Sequence, residues 1–103
     1  METPRAYGFE TEKAFVLAAA ASKSKREKFR RYVRAFVRDA AVAFMRTKDL
    51  DTSLCDELTD AAMSVFDEAF YKYLSRGRFS ADYDFTTYFN WWARQAFVRH
   101  LNL

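Results

Sequence analysis

Cysteine, proline and histidine each occur once in this chain, and glycine only twice. A single cysteine forms no internal disulfide, and Cys55 has no metal-ligating neighbours, which fits a reducing cytoplasm. One histidine, His100, with no cysteine or carboxylate at ligand spacing, gives neither a metal site nor a base for a nucleophile. The adjacent carboxylates Asp56-Glu57 and Asp67-Glu68 diverge on a helix and so share no site. A glycine-rich phosphate loop is missing too. These absences argue against catalysis by this chain and against a cofactor. The longest apolar run, Ala14 to Ala21, is far too short to cross a bilayer and has no basic region before it. The expectation is a soluble, cytoplasmic protein with no membrane partner and no signal peptide.

So little glycine and proline leaves scant turn material, which points to long helices with short connections. At 103 residues, half of them apolar and eleven of them phenylalanine, the chain suits one domain over 1–103 with a single core. Its formal charge of +3 is too small to announce a nucleic-acid partner by itself. The distribution of charge matters more.

Taken in order, residues 1–10, with Pro4 and Gly8, read as loose or irregularly packed. Thr11 is a plausible N-cap for a short packing helix through Phe15, Val16, Leu17 and the alanines. Ser22-Lys23-Ser24 reads as a polar break or capping point. From Lys25 to about Thr47 the pattern is amphipathic, with Phe29, Tyr32, Val33, Phe36, Ala40 and Phe44 assigned to the buried face. Arg30, Arg31, Arg34 and Arg38 gather opposite. They form either a patch that meets phosphates or acidic side chains, or a solvated face.

Asp51, Thr52 and Ser53 are candidate caps for a single helix from about Leu54 to Leu74. Leu58, Ala62, Val65, Phe66, Ala69 and Tyr73 line its inner side, with Phe70 at the margin. Asp56, Glu57, Asp60, Ser64, Asp67 and Glu68 give it an acidic outer side. A loop from Ser75 to Asp84 follows, holding Arg76, Arg78, Asp82 and Asp84, and Asp84 is a candidate cap for the last helix.

That helix, about Phe85 to His100, carries both tryptophans. At about 100° per residue, Phe85, Phe89, Trp92, Ala93, Ala96 and His100 fall on or near one side, which suits a core. Thr87, Arg94, Val98, Trp91, Gln95 and Tyr88 sweep round the other. An exposed indole, phenol, amide and guanidinium suit a surface that stacks on flat rings and bonds their edges, such as nucleic-acid bases. Residues of these types also anchor protein interfaces, and the residues alone leave both readings open.

The string Phe85-Thr86-Thr87-Tyr88-Phe89-Asn90-Trp91-Trp92-Ala93-Arg94-Gln95-Ala96-Phe97 resembles the promoter-melting segment of bacterial RNA polymerase sigma factors, roughly F-S-T-Y-x-x-W-W-I-R-Q-A-I. Phe85, Thr87, Tyr88, Trp91, Trp92, Arg94, Gln95 and Ala96 stand at the family's spacing, and Thr86 replaces its serine. The firm match covers about fifteen residues, and a looser one reaches back over roughly fifty more. The resemblance implies an all-α fold, a helical bundle of three main helices plus a short N-terminal one, like region two of a sigma factor. It implies two partners: core RNA polymerase, through the coiled coil of its largest subunit, and the single-stranded non-template strand of the promoter minus-ten element. An anti-sigma factor is a further candidate partner.

Carried over by position, Tyr88 would stack on the flipped adenine at the upstream edge of the bubble. Trp91 and Trp92 would form the wedge that stands where that base was, Gln95 would read the pair upstream, and Thr87 and Phe85 would belong to the same site. Arg94 and Arg99 would sit near phosphates. Val98 stands where the family often has a polar reader of that pair, so preference there should be relaxed. On the polymerase side, Glu57, Asp60, Ser64 and Asp67 are the candidate contacts. Glu57-Leu58 aligns with the family's D-L-x-Q-E-G, which puts Asp60 at the glutamine and Ala61 at the glutamate. The chain stops soon after the motif, so the domain that reads the minus-thirty-five element is not in it. The expectation is a fragment of a longer factor, a compact protein completed by a partner, or a degenerate relative that holds polymerase without melting DNA. The rival from another class is a helical protein-interaction module using Trp91, Tyr88 and Val98 as its anchor.

Overall fold

Thr11 begins the first helix by accepting a hydrogen bond at its hydroxyl from the Ala14 amide, 3.1 Å away. The computed structural model describes residues 3–75 and 83–103. Helix α1 runs over Glu12–Ala21 and α2 over Lys23–Thr47, with Ser22 as the shared joint: it ends α1 and caps α2 by accepting from the Lys25 amide. Arg26 reaches back to the last carbonyls of α1, donating to those of Ala19 and Ala20. Asp49, in the left-handed region at φ 56°, follows the end of α2 and turns the chain away. A 3-10 turn over Thr52–Leu54, with Asp51 accepting from the Ser53 amide, leads into α3, Cys55–Met63. Helix α4 spans Phe66–Ser75 and α5 spans Phe85–Leu101. Among the described residues all regular structure is helical, and no helix is long and apolar enough to cross a membrane.

Within residues 3–10, Tyr7 and Phe9 are half-buried against the core. Pro4–Tyr7 form a 3-10 turn, Gly8 takes a left-handed φ of 88°, and Phe9 stacks on Phe15 with ring centres 4.6 Å apart. The helix expected over Leu54 to Leu74 is two helices, broken at Ser64-Val65. The Ser64 hydroxyl donates back to the Ala61 carbonyl at 2.7 Å, competing with the helical ladder. Arg30 then takes the Met63 carbonyl exposed by the break.

The core is aromatic. Phe85 is fully buried, with ring centres 5.5 Å from Phe29, 5.6 Å from Phe66, 5.7 Å from Phe70 and 5.3 Å from Tyr73. This cluster ties α5 to α2 and α4 at one end, and Phe44 against Phe97 ties α5 to α2 at the other.

The buried stripe of α2 departs from expectation. Phe29, Tyr32, Val33 and Phe44 are inside, but Phe36 is exposed and Ala40 half-buried, while Val37, Ala41 and Met45 are buried in their place. This long helix packs on α1, α3 and α5, and Phe29 in its first half already meets Phe66 and Phe70 of α4 and Phe85 of α5. Its inner face rotates along its length, which one fixed stripe does not capture.

Candidate nucleic-acid interface

Helix α5 divides as its periodicity requires. Phe85, Thr86, Phe89, Ala93, Ala96 and Phe97 are buried. Thr87, Trp91, Arg94, Gln95 and Arg99 are exposed, and Tyr88, Trp92 and Val98 lie half-buried along the margin. Two sequence assignments need correction. Phe85 has no surface to offer a ligand and belongs to the core. His100, placed on the inner side, is exposed, and its Nε2 meets a Glu57 carboxylate oxygen at 3.1 Å.

The aromatic groups form a stepped surface. Trp91 keeps 62% of its area in solvent and meets Trp92 edge-on, with ring centres 6.0 Å apart at 89°. Trp92 is 6.2 Å from Tyr88, whose ring rests 5.5 Å from the buried Tyr73. Burial pushes the Tyr73 hydroxyl up to about 12, and it donates to the Tyr83 carbonyl at 3.1 Å. Lys72 of α4 lies over the Trp92 ring at 5.1 Å, adding a positive charge beside the step. The sequence held no signal for Lys72, because its place depends on how α4 crosses α5.

Clefts open on more than one side of α5, including these two. One, of about 220 Å³, is lined by Phe44, Lys48, Asn90, Arg94 and Phe97. Both cations lie 5.9 Å from the Phe44 ring. Among the described residues, Arg94, Arg99 and Lys48 have no acidic partner within ion-pair distance. The other, of about 480 Å³, opens beside the first turn of α5 between Glu12, Tyr32, Phe36, Asp39, Asp84 and Thr86, and is acidic.

Asp84 occupies the N-cap position of α5 but its side chain makes no capping bond. Glu12 does that work from α1. Its carboxylate accepts from the Thr86 amide at 2.8 Å, the Thr86 hydroxyl at 2.9 Å and the Tyr32 hydroxyl at 2.6 Å. Burial holds Glu12 above the usual carboxylate range despite those three donors, and the nearby Asp84 charge adds to the shift. Glu12 was missed because a glutamate in the first turn of a helix ordinarily faces water.

The charged rows of α2 and of α3–α4 face each other. Arg38 meets Asp56 at 2.9 Å, Arg34 meets Asp60 at 2.7 Å and Arg30 meets Asp67 at 3.4 Å. Glu57, Asp60, Ser64 and Asp67, the polymerase candidates, are all exposed, with Ser64 at the break between the two helices. Arg76, Arg78 and Asp82 lie outside the described residues. Among the described residues no three His, Cys, Asp or Glu side chains gather closely enough to hold a metal ion. No family model, curated protein or solved structure gives a significant match to the chain.

Proposed function

We propose that this chain acts as a sigma-factor-like initiation module, holding core RNA polymerase and the melted non-template strand of a promoter minus-ten element. The observation that carries this reading is Trp91, an indole 62% exposed on a helix that buries its phenylalanines. Nothing in the fold requires a large aromatic ring there, whereas an unpaired base gives it a partner. Trp92 and Tyr88 continue the step, and Gln95 and Thr87 supply edge donors and acceptors on the same face.

The energetics fit local opening. Flipping a base out of the duplex costs a few kcal/mol. Each base stacked on an aromatic side chain returns about 1–3 kcal/mol. Two such contacts, with Arg94 and Arg99 meeting phosphates, offset the cost without ATP. The exposed carboxylates Glu57, Asp60 and Asp67 then serve the polymerase side, where a basic coiled coil would meet them.

A specific observation favours the second reading, a helical protein-interaction module. The acidic cleft of Glu12, Asp39 and Asp84 repels phosphates next to the first turn of α5. The Arg30, Arg34 and Arg38 row is turned onto the chain's own carboxylates. Retention on immobilised core RNA polymerase separates the two. The initiation module is retained and is released by salt, while the interaction module passes through.

A further inference from the structure

The arginines of α2 stand at i, i+4 and i+8, on one side of the helix. Their acidic partners run in the opposite direction, Asp67, Asp60 and Asp56, so the helices lie antiparallel with three rungs between them. We infer that this row masks the acidic face, and that a partner helix carrying its own row of basic residues docks there by displacing Arg34 and Arg38. The inference rests on the reading that this face meets RNA polymerase, and it adds a competitor built into the chain.

The rungs are not alike. Arg30 is anchored three ways: it bonds Asp67, donates to the Met63 carbonyl at the helix break, and lies 5.2 Å over the Phe66 ring. Among the described residues Arg34 and Arg38 each have one ionic partner, and their side chains keep 43% and 54% of their area in solvent. The opposing Asp60 and Asp56 side chains keep 68% and 70%. A carboxylate that open is reachable by an incoming guanidinium or ammonium. Exposed ion pairs are weak enough to exchange one cation for another. Removing the internal cation should therefore strengthen the external contact.

Arg31 supplies the control. It sits on the same helix, exposed, with no acidic partner within ion-pair distance among the described residues. Replacing it changes net charge as much as replacing Arg34 does, but frees no carboxylate.

The test measures affinity for core RNA polymerase of the wild type, Arg31→Gln, Arg34→Gln and the double variant Arg34→Gln/Arg38→Gln, with circular dichroism confirming that each is folded. The expected result is tightening on the order of five- to tenfold for the double variant, from two exposed pairs of ordinary strength. Arg34→Gln falls between, and Arg31→Gln changes affinity less than about twofold, the size of a long-range effect at an exposed site. Equal tightening by Arg31→Gln and Arg34→Gln reflects net charge alone and overturns the mask. Weaker binding by the double variant means those arginines touch the polymerase, and overturns it too. Polymerase binding by none of the four overturns the polymerase reading and the mask together, an outcome distinct from either.

Discussion

Glu12 caps a helix through a residue 74 positions later: its carboxylate takes the Thr86 amide and hydroxyl, and the Tyr32 hydroxyl closes the triangle. Three helices thus meet at one buried carboxylate, and the aromatic face of α5 is set by a residue at the other end of the chain. Glu12→Ala would leave the Thr86 amide and two hydroxyls without a buried acceptor. A loss of at least about 3 kcal/mol is expected, since three buried groups are left unsatisfied at about 1–3 kcal/mol each, read from urea denaturation.

The same carboxylate makes stability depend on pH. Its folded-state pKa is raised above the ordinary 4.5, so the folded state favours the protonated form. The stabilisation this provides is complete below pH 4.5 and is lost as pH rises through the folded value. Measured against Glu12→Gln, which cannot titrate, the wild type should become relatively less stable from acid towards neutral pH. A difference that stays flat across that range would mean Glu12 titrates as in the unfolded chain.

Phe36 and Val37 test the rotation of the buried face of α2. Phe36 is 39% exposed and Val37 fully buried. Val37→Ala should cost about 2 kcal/mol from lost methyl burial and the cavity left behind. Phe36→Ser should cost less, although it deletes the larger side chain. The reverse order in chemical denaturation would put Phe36 in the core.

Phe85 was grouped with the DNA contacts through its place in the motif, yet its ring is central to the aromatic core. Phe85→Ala should cost about 3–5 kcal/mol, as large aromatic truncations do. Phe85→Leu should keep the fold and leave oligonucleotide affinity within about twofold of wild type, since a side chain without exposed surface contributes no contact of its own. A selective loss of DNA binding by the folded Leu variant would restore Phe85 to the site.

Local chemistry was readable in the sequence. Thr11 and Ser22 cap where a hydroxyl precedes an apolar periodic run, and α5 exposes Trp91, Gln95 and Arg94 where 100° steps place them. Features that depend on distant residues were not readable. The Arg34–Asp60 rung needs two helices aligned antiparallel, and the Lys72–Trp92 contact needs a crossing geometry. Glu12 displaced Asp84 as the effective cap because a buried carboxylate from α1 reaches the Thr86 amide first. The break at Ser64 had a weak signal, a serine followed by a β-branched residue, but its completion by Arg30 is tertiary.

The most direct measurement is a fluorescence-monitored titration with a single-stranded minus-ten oligonucleotide, comparing wild type, Tyr88→Ala and Trp91→Ala. A stacking surface loses about 1–3 kcal/mol for each ring removed, a drop of roughly fivefold to 150-fold in affinity, with both variants still folded. Equal binding by all three proteins, or binding by none, would contradict the assignment of this face to an unpaired base.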